Sequence, residues 1–355
     1  MLDLTAWDAA SAGSRGPIVI ADGKNVTVNC YGGSNHDPAM LVIHDGPMGQ
    51  ARKREFARVP RTVKHVAVLA QHGYVSVGAM RWMEDTDITW SVIDSGGRTP
   101  RTLATSGGYV SPHYMRQQAL CTPGMPYAYT GVRIMRQLIA EKIAGQAHNA
   151  EYVLGLAATA KEIREAIPRV EASRSIETIM GHEGSAADTY WDAWRELPVV
   201  WLRPVPPQAH WTRYPSRRTL RRTWESNRGA TDPVNAMLNF GYHCAETQCV
   251  IACYAHALSP GIGIGHVTRE PGDTRRESFA LDLIEIMRPR VDAIVLGVLA
   301  EPLNARWFME DREGIVRLRA PLTHRIYREV AEQSTAITTA LFGITKLLDG
   351  AKRRR

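Results

Sequence analysis

The sequence predicts an α+β protein in which a small N-terminal β-sandwich-like domain precedes a larger all-α domain. Three observations lead there. Short β-branched runs, most of them closed by Gly or Asp, fill the first hundred positions. After Gly107-Gly108 those runs give way to apolar residues recurring at helical spacing. A chain of 355 residues with 44% hydrophobic and 22% charged residues can also bury two cores without help from disulfides or metals.

Taken in order, residues 1–15 read as an N-terminal extension and 16–100 as the β domain. In PIVIADGKNVTVNC the runs Ile18 to Ile20 and Val26 to Val28 flank Asp22-Gly23, which signals a hairpin. Further strands are expected at Met40 to Ile43, Val66 to Leu69 and Ile88 to Ile93, with one helix in SVGAMRWMED. Residues 101–115 form a linker and 116–349 the helical domain. There Val132, Met135, Leu138, Ile139 and Ile143 make one apolar stripe, and Ile163, Ile167 and Val170 make a second. A third helix opens at Asp232-Pro233, where Asp can cap and Pro suits the first helical position, and runs to about Leu258. A fourth begins near Ser278 and is expected to break at Pro289. The last spans roughly Arg325 to Leu348, and residues 350–355 form a basic tail.

Composition narrows the function classes. The longest apolar run, Ala293 to Ala300, is far short of the roughly 20 residues a membrane helix needs. The N-terminus carries Asp3 and Asp8 and no basic residue before Arg15, unlike a signal peptide, so a cytoplasmic protein with no membrane partner is expected. Five Cys with no CxxC pair argue against a disulfide framework and a zinc ribbon. The net charge is +7, and most of the excess lies beyond residue 113. Arg213, Arg217, Arg218, Arg221, Arg222 and Arg228 share their stretch with a single acid, Glu225, and the chain ends in Lys352 to Arg355. Such clusters attract polyphosphates by counterion release, or form a solvated face with a free tail.

Three features could carry chemistry. Asp282 and Glu285 stand at i, i+3, about 60° apart on one helical face, and two acids so close repel unless a cation lies between them or one is protonated. An exposed patch pairing with Arg288 is the plainer alternative. Glu183 falls in line with Ala187, Tyr190 and Trp194, on the apolar face of its helix, where an ionised acid must be paired or metal-bound. A place in the first turn, complementing the helix dipole, would explain it equally. His266 follows the glycine-rich GIGIG, which could bend the backbone back towards Asp282 and Glu285, although a lone loop histidine is more often structural. Together they make an oxygen and nitrogen donor set without thiolate, suited to Mg²⁺ or Mn²⁺. Asn235, Asn239, Tyr242 and Glu246 form a polar strip on the third helix that would support the His266 loop, and Cys244, Cys249 and Cys253 read as small buried hydrophobes.

Four blocks, GHEGSAADTYW at 181–191, DPVNAMLNFGY at 232–242, LSPGIGIGH at 258–266 and SFALDLIEIMRPRVD at 278–292, resemble the Cas-one integrase family of CRISPR adaptation and antiviral defence. The stretch HVAVLAQHGYVSVGAMRWMEDTDITWSVIDSGGR is similar, more loosely, to that family's β domain, so the similarity spans about residues 41–299. The resemblance implies that Glu183, His266 and Glu285 are catalytic and hold a divalent ion, with Asp282 as the neighbouring acid. It also implies a homodimer, usual assembly with the small Cas-two protein, and action on double-stranded and branched DNA with 3′-hydroxyl ends. The expected activity is metal-dependent joining of a 3′-hydroxyl to a target phosphodiester, with Arg217, Arg218, Arg221, Arg222 and Arg228 gripping phosphates. The N-terminal extension and the basic tail lie outside the family pattern, and a stand-alone or transposon-type integrase is the alternative context. A hydrolytic metal-dependent nuclease and a non-catalytic DNA-binding scaffold are the rival functions.

Overall fold

The computed structural model describes the chain from residue 18 to 351, apart from residues 24, 35–36, 47–50, 58–62, 71, 94–108, 196, 218–228 and 267–276. The extension 1–15, most of the expected linker, Arg218, Arg221, Arg222, Arg228 and residues 352–355 therefore lie outside the described residues. The chain divides into two compact units, Met1–Asp94 with Pro100–Gly107, and Ser95–Thr99 with Gly108–Arg355. Among the described residues no helix is long and apolar enough to cross a membrane.

The first unit holds β1 (Ile18–Asp22), β2 (Val26–Ser34), β3 (Asp37–Asp45), β4 (Arg52–Ala57), β5 (His65–Leu69), β6 (Gly73–Val75), α1 (Val77–Asp85) and β7 (Thr89–Val92). One sheet has the parallel order β1-β5-β7 and the other the order β4-β3-β2-β6. Val19, Val28, Leu41, Ile43, Val66, Trp82 and Trp90 share a single buried cluster, as the β-branched runs foretell. The hairpin expected at Asp22-Gly23 does not form. β1 pairs with β5, while β2 pairs antiparallel with β3, Val28 opposite Ile43. Gly23, at φ 131°, instead bridges Gly46 so closely that a Cβ there would meet the Gly46 carbonyl oxygen at 2.1 Å. The turn residue thus passes the chain from one sheet to the other.

The second unit contains α2 (Pro112–Leu120), α3 (Ala128–His148), α4 (Ala157–Arg164), α5 (Ala166–Ala172), α6 (Ile176–Ala193), α7 (Pro233–Ala255), α8 (Ser278–Leu299), β8 (Phe308–Glu310), β9 (Val316–Leu318), α9 (Leu322–Glu332) and α10 (Ser334–Asp349). Helix α3 buries Val132, Met135, Leu138, Ile139 and Ile143 and packs on α6 and α8, while α7 packs along α8. Asp232 caps α7 through the Asn235 N–H at 2.9 Å, with Pro233 in the first turn.

Three expectations are corrected here. The unit is not all helix, because β8 and β9 pair antiparallel, burying Phe308, Val316 and Leu318; strands of three residues offer too short a period to read. The single last helix is two, α9 and α10, divided at Gln333. Helix α8 also runs unbroken through Pro289. Its ring fits against α3 at Gly145, where a Cβ would lie 2.6 Å from Pro289 Cγ, and Asn149 Nδ2 donates to the Pro289 carbonyl at 2.7 Å. Packing and this bond offset the lost helical hydrogen bond.

Candidate active site

The site lies where α3, α6, α8 and the loop Leu258–His266 meet. Ser175 caps α6 by accepting the Thr178 N–H at 3.2 Å. The cap sets the start of the helix at Ile176, so Glu183 lies mid-helix and the first-turn alternative falls away. Gly181 and Gly184 have nothing within 4 Å of where a Cβ would stand, but they project from other faces of the helix than Glu183, whose own side chain is 12% exposed.

The two glutamates converge on one cation. Lys142 of α3, buried at 7% exposure, donates from Nζ to Glu183 Oε1 at 2.6 Å and to Glu285 Oε2 at 2.5 Å. Arg288 Nε donates to the other oxygen, Glu285 Oε1, at 3.0 Å. Burial alone would raise the Glu285 pKa, but the charges of Arg288 and Lys142 and the Lys142 hydrogen bond outweigh it and hold the carboxyl down at about 2. The cation that two close acids require is thus supplied by the chain itself.

Asp282 plays a different part from the one the sequence suggests. Fully buried, it accepts the backbone N–H groups of Ile264 at 2.6 Å, Gly265 at 3.1 Å and His266 at 2.8 Å, and His266 Nδ1 at 2.8 Å. Both its oxygens are occupied in closing the glycine-rich turn. A carboxylate can only accept, so Nδ1 carries the proton and Nε2 keeps a lone pair free for a ligand. At Gly265 a Cβ would stand 2.5 Å from the Met135 methyl and 3.0 Å from Asp282 Oδ1, so the turn passes close to both. Gln118 of α2 pins the start of the same loop, accepting the Ser259 N–H and donating to the carbonyls of Ser259 and Ile262.

Behind the acids lies a buried polar layer. Asp292, two turns beyond Glu285, accepts Tyr242 Oη at 2.5 Å and Tyr190 Oη at 3.1 Å. Burial raises its pKa to about 6 although both hydroxyls and nearby arginines pull it down. Arg217 donates to Asn235 Oδ1 at 2.8 Å and Asn239 Oδ1 at 2.9 Å, and its guanidinium stacks over the rings of Trp191 and Tyr242. The polar strip of α7 therefore holds Arg217 and Asp292 rather than the His266 loop, and Arg217, half-buried, makes these two bonds within the chain. Cys244, Cys249 and Cys253 are buried free thiols, their pKa values pushed up by burial.

Sequence reasoning missed Lys142 and Asp292, whereas the pairing with Arg288 that it offered does form, on a Glu285 that is buried rather than exposed. A signal for Lys142 was present: it stands four residues after Leu138 and three after Ile139, so its charge falls on the apolar stripe of α3.

Among the described residues no group of three or more His, Cys, Asp and Glu side chains closes into a ready metal cage. The donor set nevertheless fits a hard divalent ion: two carboxylates already bind a shared cation, and an imidazole with a free nitrogen is held beside them.

Comparison with known proteins gives matches in sequence and in fold. The sequence profile described as "CRISPR associated protein Cas1" matches residues 41–332. A protein from Pyrobaculum aerophilum described as "CRISPR-associated endonuclease Cas1 2" is 27% identical over 331 residues, covering 89% of this chain and 99% of that protein. A casposase bound to integration product superposes with TM-score 0.70 at 18% identity, over 96% of this chain and 92% of that one. A Cas1 protein from Thermotoga maritima gives TM-score 0.69 at 17% identity, over 95% and 98%. The last two likenesses establish a shared fold.

Proposed function

The chain belongs to the CRISPR-associated Cas1 family, and on that premise we propose that it is a divalent-metal-dependent DNA integrase that joins a DNA 3′-hydroxyl end to a target phosphodiester. The observation that carries this reading is the meeting of Glu183 and Glu285 on one buried cation beside His266. Glu183, Glu285 and His266 Nε2 would hold Mg²⁺ or Mn²⁺. Such an ion, when bound, sharpens a hydroxyl nucleophile and stabilises the leaving oxygen.

The remaining work falls to the chain's own side chains. Asp282 fixes the tautomer and direction of His266 and shapes the turn that carries it. Arg288 keeps Glu285 ionised at neutral pH despite its burial. No protein nucleophile is required, and the buried cysteines, whose thiols are held protonated, suit that mechanism. Arg218, Arg221, Arg222 and Arg228, which lie outside the described residues, are assigned to duplex phosphates from their charge pattern alone. We assign the role to CRISPR spacer acquisition, as a homodimer working with the small Cas-two protein.

The word "endonuclease" attached to the Pyrobaculum aerophilum relative favours a second reading, hydrolysis by the same ligands with water as nucleophile. A labelled oligonucleotide with a 3′-hydroxyl, supercoiled plasmid and Mn²⁺ separate the two. Integration yields plasmid covalently joined to label, and a 3′-deoxy donor yields none. Nicked plasmid without joined label, whichever donor is used, would establish hydrolysis instead.

A further inference from the structure

We propose that Lys142 is a built-in counter-ion, holding Glu183 and Glu285 together in the metal-free protein and releasing them when a divalent cation enters. The inference rests on the reading of these acids and His266 as a metal centre, and extends it to a residue that reading does not require.

The charge balance carries the argument. Lys142 reaches both acids from a third helix, with Nζ at 2.6 Å from Glu183 Oε1 and 2.5 Å from Glu285 Oε2. At 7% exposure its ammonium would cost several kcal/mol if unpaired, and so would the two carboxylates without it. Arg288 supplies a second positive charge on the far oxygen of Glu285, so with the buried Asp282 three carboxylates face two bases. A dication added to that cluster would leave one uncompensated positive charge in a poorly hydrated site, and loss of one base restores the balance. The dication would also compete with Nζ for the same oxygens, at ligand distances near 2.1 Å. One cation has to leave, and the geometry selects which. Arg288 is held by the Tyr242 ring, 5.0 Å from its guanidinium carbon, and approaches Glu285 from the other oxygen. Lys142 is a point charge on a flexible stem, so it can withdraw where the ring-held Arg288 cannot. Metal binding is then an exchange, and the acids are kept in position for it before the ion arrives.

The test uses the full-length protein, wild type and the variants Lys142→Met and Lys142→Gln. Mn²⁺ affinity is measured by calorimetry with electron paramagnetic resonance as a check on bound ion, and melting is followed in EDTA and in saturating Mn²⁺. Exchange predicts that both variants melt below wild type in EDTA, that Mn²⁺ narrows the gap, and that Kd for Mn²⁺ falls roughly tenfold or more, which corresponds to about 1.4 kcal/mol. An equal loss of stability with and without Mn²⁺, at unchanged Kd, would assign Lys142 to packing and overturn the proposal. Failure of both variants to fold in either condition would do the same. Wild type that binds no Mn²⁺ would remove the metal centre itself, a distinct result.

Discussion

Asp282→Ala tests how the His266 loop is built. The carboxylate is fully buried and accepts three backbone N–H groups and His266 Nδ1. Hydrogen bonds to a charged group contribute about 1.5–3 kcal/mol each. Four bonds to one group are not additive, because the loop can relax towards water once released. We therefore expect a loss of about 3–5 kcal/mol, at the upper end of single-substitution effects. In a unit of this size each kcal/mol shifts melting by about 2–4 °C, so Tm should fall by roughly 10 °C. The assay is calorimetric melting in EDTA, which keeps metal binding out of the comparison, with Asp282→Asn falling between wild type and Ala because its amide keeps one accepting oxygen. The structure predicts that donor joining falls along with stability, since His266 loses its orientation. A loss below about 1 kcal/mol would refute the reasoning.

Other outcomes follow from the same geometry. Glu183→Gln and Glu285→Gln should each lower donor joining by roughly 10²-fold or more, read from initial rates at saturating Mn²⁺; rates near wild type would remove the residue from the centre. Asp292 takes up a proton more readily when folded, at about pH 6, than at its ordinary 3.8, so its stabilising contribution is complete below 3.8 and is lost as pH rises through about 6. Asp292→Asn should therefore gain stability relative to wild type between about pH 4 and 7 in urea titrations, and a constant difference would contradict the assignment. Arg217→Ala should lower Tm, because it removes the bonds to Asn235 and Asn239, and should change the salt slope of DNA binding less than loss of the neighbouring arginines does. Replacing Arg218, Arg221 and Arg222 should reduce the log–log salt slope by about 2–3 units; the opposite pattern would place Arg217 on phosphate.

The acids and histidine were legible in the sequence because each breaks a local pattern. Glu183 stands on an apolar face, His266 ends a run of glycines, and Asp282 and Glu285 crowd one side of a helix. What could not be read was which charge answers which. Asp282 and Glu285 are equivalent by spacing, yet one closes a turn and the other faces Lys142, a division made by three backbone N–H groups arriving from sixteen to eighteen residues away. Asp22-Gly23 failed for a related reason: turn chemistry marks where the chain bends and leaves open which strand it will join. Pro289 was misread because its helix is held by Gly145 and Asn149 of another segment, so tertiary packing overrides local propensity.

Of the three residues assigned to the centre, His266 gives the cleanest test of the central claim. Glu183 and Glu285 are both tied to Lys142, so replacing either also disturbs a buried ion pair. The His266 side chain is 23% exposed and its recorded side-chain bond is the one to Asp282. The measurement is covalent joining of a labelled 3′-hydroxyl donor to supercoiled plasmid in Mn²⁺ by purified, folded His266→Ala beside wild type. The account predicts joined product from wild type and none from the variant at equal Tm within a few degrees. Joining by His266→Ala at the wild-type rate would contradict it.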